Sequence, residues 1–196
     1  MKPNRPKQAK GMTREYLEKF LAVQPDTPIG LRNRALLSIG YDLLARRSEL
    51  SALRTEDVSW KRDGTLRVLI RRSKTDQNEK GRIAFTSRRS ADLLNAWLDY
   101  RGMHIPYLFC PIYQGKPINR EITEMVIRRL IRSSAKDAGL EPFIAHQFSR
   151  HSMRVGAAQD LLIIGHDTAA IMRAGGWKSV NVLGRYLQYA EHNVWA

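Results

Sequence analysis

A change of hydrophobic period within the chain constrains its fold more than any other feature of the sequence. Over most of the chain, apolar residues recur three or four positions apart, which is the spacing of a helix that buries one face. Between residues 54 and 86 they alternate, and Asp63 and Gly64 mark a turn before the first alternating run. The alternating apolar positions are Leu66, Val68 and Ile70, and then Ile83 and Phe85. The sequence therefore predicts a mainly α fold with a small antiparallel β-sheet, an α+β architecture.

Cap and turn residues divide the helical parts of the chain into separate helices. Thr13 precedes a short helix, and a stretch with two prolines at residues 24 to 28 separates it from a longer one. Gly139 ends a later helix, and the last helix opens at Ser179. Two further helices are expected at about residues 149 to 164 and 167 to 174.

The charge of the chain indicates a polyanionic partner. Its 196 residues include 33 Lys+Arg and 19 Asp+Glu, a formal net charge of +14, which is typical of proteins that bind nucleic acid. We expect residues 1–27 to form a basic N-terminal arm or linker with the short helix, and residues 28–196 to form one domain. The basic side chains of the arm that are expected to bind DNA are Lys2, Arg5, Lys7 and Lys10.

Several classes of protein are disfavoured by what the sequence lacks. No apolar run is long enough for a transmembrane helix, and no apolar stretch follows the basic N-terminus as in a signal peptide. The single cysteine, Cys110, cannot form an internal disulfide and fits a reducing compartment. We therefore expect a soluble cytoplasmic protein without a membrane partner.

The usual signs of metal or nucleotide chemistry are also missing from the sequence. It has no GxxxxGK[ST] phosphate loop, and its histidines and cysteine lack the spacing of a zinc site. Carboxylates are outnumbered and mostly lie beside basic residues, unlike those of a two-metal nuclease. If the protein acts on phosphodiesters, we expect it to stabilise charge with cationic side chains and to need no metal or other cofactor.

Five short motifs of basic and aromatic residues occur in a characteristic order. Taken singly, each has an ordinary structural explanation, such as an arginine that ends a helix or a tryptophan at a helix junction. Together they resemble the tyrosine recombinase (phage integrase) family over about residues 30 to 190. The motifs are Arg-x-Ser-Glu-Leu at 46 to 50, Lys74 in the predicted hairpin, His-Ser-Met-Arg at 151 to 154, Ala-Gly-Gly-Trp at 174 to 177, and Tyr186.

This resemblance implies the catalytic-domain fold of the family and cleavage of DNA by a tyrosine. In the family, a tyrosine hydroxyl attacks the scissile phosphate, which leaves a 3′-phosphotyrosyl bond and a free 5′-hydroxyl, and rejoining needs neither metal nor ATP. By position, Tyr186 is the nucleophile, while Arg46 and Arg154 bind the non-bridging phosphate oxygens. Lys74 protonates the leaving oxygen, and His151 relays the proton of the tyrosine.

The same resemblance assigns supporting roles to other side chains. Trp177 stands where many relatives carry histidine, and it is expected to pack and hydrogen-bond at the phosphate through its indole N–H. Glu49 is expected to orient Arg46 or His151. Further side chains are expected to bind DNA, and these are Arg47, Arg71, Arg72 and Lys178.

Parts of the chain depart from the family pattern. Many members have Gly-Leu-Arg or Gly-Met-Arg where residues 44 to 46 are Leu-Ala-Arg, and Tyr189 is a second tyrosine whose distance from Trp177 fits the nucleophile less well. The segment before the catalytic part does not resemble the helical clamp (core-binding) domain of full recombinases, which we expect to be absent. Relatives donate a C-terminal helix to a neighbouring subunit, and here Val194 and Trp195 offer an apolar plug for self-association on DNA.

The leading interpretation is a site-specific DNA recombinase or integrase, associated with the nucleoid of a bacterium or with a phage. A type IB topoisomerase, which uses a similar set of catalytic residues, is one alternative, and the sequence of residues 151 to 181 argues against it. A non-catalytic DNA-binding regulator is the other alternative. Retention of the tyrosine argues against a regulator, because phosphate binding alone does not need that residue.

Overall fold

The computed structural model describes residues 9–71, 81–149 and 151–190. Five basic residues with a predicted role lie outside the described residues, and these are Lys2, Arg5, Lys7, Arg72 and Lys74. The described helices are α1 (Arg14–Ala22), α2 (Pro28–Asp42), α3 (Arg47–Ala52), α4 (Arg88–Arg101), α5 (Glu124–Asp137), α6 (Pro142–Ala145), α7 (Ser152–Ile163), α8 (Thr168–Gly175) and α9 (Val180–Leu187). The described strands are β1 (Val58–Trp60), β2 (Leu66–Ile70), β3 (Arg82–Phe85), β4 (Ile112–Tyr113) and β5 (Lys116–Pro117).

Cap residues begin and end several of the helices. At the start of α8, the Asp167 carboxylate accepts a hydrogen bond from the Ala170 amide at 2.7 Å. Thr13 precedes α1 as predicted, but its side chain makes no cap hydrogen bond there. Instead, the amide of Arg14 donates to the carboxylate of Asp160 on α7 at 2.6 Å. A tertiary contact therefore replaces the local cap at the start of α1.

Strands β1, β2 and β3 form one antiparallel sheet in that order, and β4 pairs with β5. On β2, the alternating apolar side chains are buried as predicted, and these are Leu66, Val68 and Ile70. On β3 the alternation indicates the wrong face, because Ala84 is buried opposite Val68 while Phe85 is 53% exposed. Antiparallel partners share a face, so the pairing of Arg82 with Ile70 also turns Arg82 inward.

The larger of two hydrophobic clusters surrounds α2, which packs against α1, α4 and α7. Met12, Leu17 and Phe20 are fully buried in this cluster, so the predicted short helix is present and packs into the core. The division of the chain at residue 27 stays a prediction. None of the helices within the described ranges is long and apolar enough to cross a bilayer.

A smaller second cluster joins the end of α2 to α7, α8 and α9. Its buried members are Leu44, Ala157, Ala158, Ile171, Trp177 and Leu183. Because four of the predicted catalytic residues lie on or beside these helices, this second cluster positions the candidate site; they are His151, Arg154, Trp177 and Tyr186.

Candidate active site

Arg154, in the first turn of α7, is the most deeply buried side chain of the candidate site. Only 2% of the residue is exposed. Its Nη1 donates to the carbonyl oxygens of Leu44 at 2.7 Å and Gly175 at 2.6 Å, and its guanidinium carbon lies 3.7 Å from the centre of the Trp177 ring. Its Nη2 has no hydrogen-bond partner among the residues that the structure describes. One side of the guanidinium is therefore fixed by the protein, while Nη2 is a buried donor whose hydrogen-bonding capacity is unused.

The electrostatic surroundings of Arg154 favour an anion. Burial, and then the nearby charge of Arg46, lower the pKa of Arg154 to about 9, an effect that Glu49 opposes and Arg82 reinforces. Together, the three arginines at this place carry more positive charge than Glu49 alone neutralises. A bound phosphate would supply the missing negative charge.

Glu49, on α3, joins two of these arginines. Its side chain is 8% exposed and accepts hydrogen bonds from Arg46 Nη1 at 2.7 Å, from the Arg46 amide at 2.8 Å and from Arg82 Nη2 at 3.2 Å. Burial by itself raises the pKa of Glu49, but the charge of Arg82, then the backbone hydrogen bond and charge of Arg46, outweigh it and hold that pKa below its ordinary value. Glu49 is therefore ionised near neutral pH and fixes the Arg46 side chain.

Arg46 is half-exposed and lines a cavity of about 370 Å³ at the start of α3. Arg47, Glu124 and His151 also line this cavity, and Arg47 Nη2 lies 3.1 Å from a carboxylate oxygen of Glu124. The cavity is therefore bordered by cationic side chains from α3 and by a histidine that precedes α7.

Tyr186 lies on α9, beside Arg154 and His151. Its ring centroid is 5.8 Å from that of Trp177, in an edge-on arrangement, and 6.2 Å from that of His151. Its backbone carbonyl accepts a hydrogen bond from Gln159 Nε2 on α7 at 3.0 Å. These contacts hold a phenol next to a buried guanidinium, an imidazole and an indole.

A family model described as the phage integrase family matches residues 10–193. This chain belongs to the phage integrase family. The recombinase Cre of Escherichia phage P1 is 30% identical over 171 residues, which cover 81% of this chain and 49% of Cre. An integrase/recombinase XerD homolog of Selenomonas ruminantium is 30% identical over 166 residues, which cover 81% of this chain and 48% of that protein. The chain spans about half the length of these curated relatives.

Solved structures of tyrosine recombinases share the fold of this integrase-family chain. The XerH site-specific recombinase bound to the palindromic difH substrate aligns with a TM-score of 0.73 and 22% identity, over 94% of this chain and 51% of that one. The XerA recombinase aligns with a TM-score of 0.72 and 21% identity, over 95% of this chain and 61% of that one. The predicted mainly α catalytic-domain fold is thereby confirmed.

The structure brings most of the predicted catalytic residues of this integrase-family chain together. These residues are Arg46, His151, Arg154, Trp177 and Tyr186, and Glu49, which was predicted to orient Arg46 or His151, lies with them. Tyr189, in contrast, is largely exposed and lines a different cavity with Tyr16 and Phe143. Lys74, the remaining predicted catalytic residue, lies outside the described residues.

The other predicted DNA-binding residues are spread over the surface. Arg71 forms ion pairs with Glu56 at 2.6 Å and with Asp57 at 2.5 Å. The ammonium of Lys10 lies 5.2 Å from the centre of the Tyr16 ring. Lys178 is exposed beside Trp177. Their roles in binding DNA stay predictions.

Sequence reasoning missed Arg82, which lies on β3 with its side chain 15% exposed. Its Nη1 donates to the carbonyl oxygen of Ala174 at 2.7 Å, and its Nη2 donates to the carbonyl oxygen of Leu43 at 3.0 Å and to Glu49. The available signal was that Arg82 lies two positions before Ala84, which is buried, so that both side chains share one face of the strand. The more apolar pattern of the opposite face concealed it.

Proposed function

We propose that this chain is the catalytic part of a site-specific DNA recombinase or integrase, which cleaves and rejoins DNA through a 3′-phosphotyrosyl intermediate. The observation that carries the proposal is the convergence of Tyr186 with Arg154 around Trp177. Membership of the phage integrase family supports it, as do similar proteins whose names are recombinase or integrase.

Two arginines would bind the scissile phosphate from different depths. Arg154 offers Nη2 from a buried position, while half-exposed Arg46 is held by Glu49 at the edge of the cavity. Guanidinium groups match the geometry of phosphate oxygens, and they stabilise the charge that develops on those oxygens in the transition state. The positive charges are in place before DNA binds, so little reorganisation is needed during the reaction.

The reaction would then exchange one phosphoester bond for another. The hydroxyl oxygen of Tyr186 attacks phosphorus, the bond from phosphorus to the 5′-oxygen breaks, and the 5′-oxygen leaves with a proton from Lys74. His151, whose ring lies 6.2 Å from that of Tyr186, would relay the proton that the phenol loses. The reverse attack by a 5′-hydroxyl restores the DNA strand, and because the bond energy is conserved, no ATP is required.

Double-stranded DNA is the partner that this proposal requires. The net charge of +14 favours contact with a polyanion, and the XerH structure is a complex with its difH substrate. We also propose that copies of the chain associate on DNA through the C-terminal tail, and that the protein works beside the bacterial or phage genome in the cytoplasm.

The decisive experiment is covalent trapping on a nicked suicide duplex, which loses its short cleaved strand and cannot be rejoined. The unchanged protein should form an adduct that withstands denaturant, in excess EDTA and without nucleotide. Tyr186→Phe should bind the duplex and form no adduct, whereas Tyr189→Phe should form it normally.

The remaining outcomes separate the alternatives. An adduct with Tyr186→Phe but not with Tyr189→Phe would move the nucleophile to Tyr189. Relaxation of a plasmid without any specific site, and no strand exchange, would support a type IB topoisomerase. Binding without any adduct would leave a DNA-binding regulator.

A further inference from the structure

Two arginines from different elements bind two adjacent pairs of backbone carbonyls. Arg154, on α7, donates to the carbonyl oxygens of Leu44 and Gly175. Arg82, on β3, donates to the carbonyl oxygens of the preceding residue in each pair, which are Leu43 and Ala174. The end of α2 and the end of α8 are therefore joined twice, once by each guanidinium.

The fit around Arg82 is close. A Cβ atom added to Gly176 would lie 2.7 Å from Arg82 Cδ, so only a glycine leaves space for the arginine stem at this place. Gly176 also has a φ of 66°, which a residue with a side chain rarely adopts. The turn before Trp177 is therefore shaped around Arg82.

Arg82 also contributes charge to the site. It is the first of the cations that hold the pKa of Glu49 below its ordinary value, and Arg46 and Arg154 are the other charged groups that face this carboxylate. Glu49 in turn binds Arg46 through two hydrogen bonds. Arg82 is thus connected to one phosphate-binding arginine through Glu49 and to the other through the shared carbonyl pairs.

We propose that Arg82 is a positioning residue, which holds Arg154 and the pair formed by Glu49 and Arg46 at the spacing that the scissile phosphate requires. The proposal rests on the proposed function. The two terminal nitrogens of Arg82, Nη1 and Nη2, are occupied by Ala174, Leu43 and Glu49, so Arg82 acts through its neighbours. The same contacts tie β3 to the two arginines that are proposed to bind phosphate.

The test compares single-turnover cleavage by Arg82→Met and Arg82→Lys on the suicide duplex, from pH 5 to pH 9, with protein in excess of its dissociation constant. Arg82→Met should lower the cleavage rate constant about 100-fold, because misplaced phosphate-binding groups lose about that factor. The dissociation constant for DNA should change less than about threefold, since contacts along the backbone dominate affinity.

The pH profile separates positioning from simple support of the fold. Without the charge of Arg82, burial raises the pKa of Glu49, so the acidic limb of the rate profile should move to higher pH in Arg82→Met. Arg82→Lys keeps the charge but lacks the second nitrogen, so it should leave that limb in place and recover part of the rate.

Arg101 provides a matched control. It is more deeply buried than Arg82, at 2% exposed, and it binds the carbonyl oxygens of Ile105 and Tyr107 and the hydroxyl of Thr55. Arg101→Met, or Arg101→Lys if the former does not fold, should lower the melting temperature without changing the cleavage rate of the folded fraction.

Three results would overturn the proposal. Wild-type cleavage rates in Arg82→Met would remove Arg82 from the reaction while leaving the proposed function intact. An equal loss of rate in the Arg101 variant would show that any buried arginine has this effect. No adduct with the unchanged protein would overturn the proposed function, and this proposal with it.

Discussion

Leu44 adopts a left-handed φ of 48°, and in this conformation its carbonyl oxygen accepts the hydrogen bond from Nη1 of Arg154 at 2.7 Å. Glycine adopts this left-handed conformation without strain, whereas leucine does not. Here the leucine side chain is buried in the second cluster beside Trp177, so packing offsets the backbone strain. The orientation of Arg154, which is proposed to bind phosphate, thus depends on a strained residue two positions before Arg46.

Substitutions at Leu44 should reverse the usual order of stability, in which an alanine variant is more stable than a glycine variant. Leu44→Ala keeps the strained backbone and loses the packing, which costs about 2–5 kcal/mol. Leu44→Gly loses the same packing but relieves the strain, so it should be about 1 kcal/mol more stable than Leu44→Ala. Urea unfolding measures both values. At Leu43, where φ is −79°, the glycine variant should be less stable than the alanine variant. If the two variants had the same order of stability at Leu43 and at Leu44, the backbone of Leu44 would not be strained.

Trp177 substitutions should separate packing from hydrogen bonding. Trp177→Ala removes the ring that lies against Arg154 and should lower the free energy of unfolding by about 3–5 kcal/mol. Trp177→Phe retains an aromatic ring but not the indole N–H. It should lower the cleavage rate constant about tenfold, because one hydrogen bond to a charged group is lost. The free energy of unfolding in urea should change little. If Trp177→Phe cleaved at the rate of the unchanged protein, the indole N–H would have no part in the reaction.

The stability of the protein should depend on Glu49 at acidic pH. Because the folded-state pKa of Glu49 is below its ordinary value of 4.5, its contribution is complete above that pH and is lost as the pH falls through the folded-state pKa. The difference in unfolding free energy between the unchanged protein and Glu49→Gln should therefore be constant from pH 6 to 7 and shrink below about pH 4.5. Exposed Glu141→Gln is the control, and a difference that grows on acidification would contradict the sign.

Gly156→Ala should detach the N-terminal segment from α7. A Cβ atom at Gly156 would lie 2.0 Å from the carbonyl of Met12, so the segment must move, at a cost of about 1–3 kcal/mol that exceeds the gain in helix propensity. Gly184→Ala is the matched change, because nothing lies within 4 Å of that position in α9. It should stabilise the protein by about 0.5–1 kcal/mol in thermal or urea unfolding. Equal changes in stability for Gly156→Ala and Gly184→Ala would rule out the close contact between Gly156 and Met12.

The sequence predicted the features that depend on period and on motif order. Helical spacing located α7, α8 and α9 to within a few residues, and alternation located β2. Among the described motif residues, Arg46, His151, Arg154, Trp177 and Tyr186 lie around one site. Both kinds of signal depend only on the order of side chains in the sequence, so they can be recognised before the tertiary structure is known.

The features that sequence reasoning missed depend on backbone groups brought together by folding. Arg82 turns inward because carbonyl oxygens from α2 and α8 meet there, and no pattern of side chains indicates where those carbonyls lie. Similarly, α1 packs into the core because Gly156 admits the backbone of Met12. A glycine inside a helix does not reveal which segment will approach it.

The division of the interior into two clusters of unequal size also governs how the molecule opens locally. Leu183 is the only fully buried side chain of α9 in the described structure, whereas α7 packs between the two clusters. Segments with few buried contacts detach at a lower free energy than the global unfolding of the protein. We therefore expect α9, which carries Tyr186, to detach more readily than α7, which carries Arg154, and we expect the docked fraction of α9 to limit the rate of the proposed attack on phosphate.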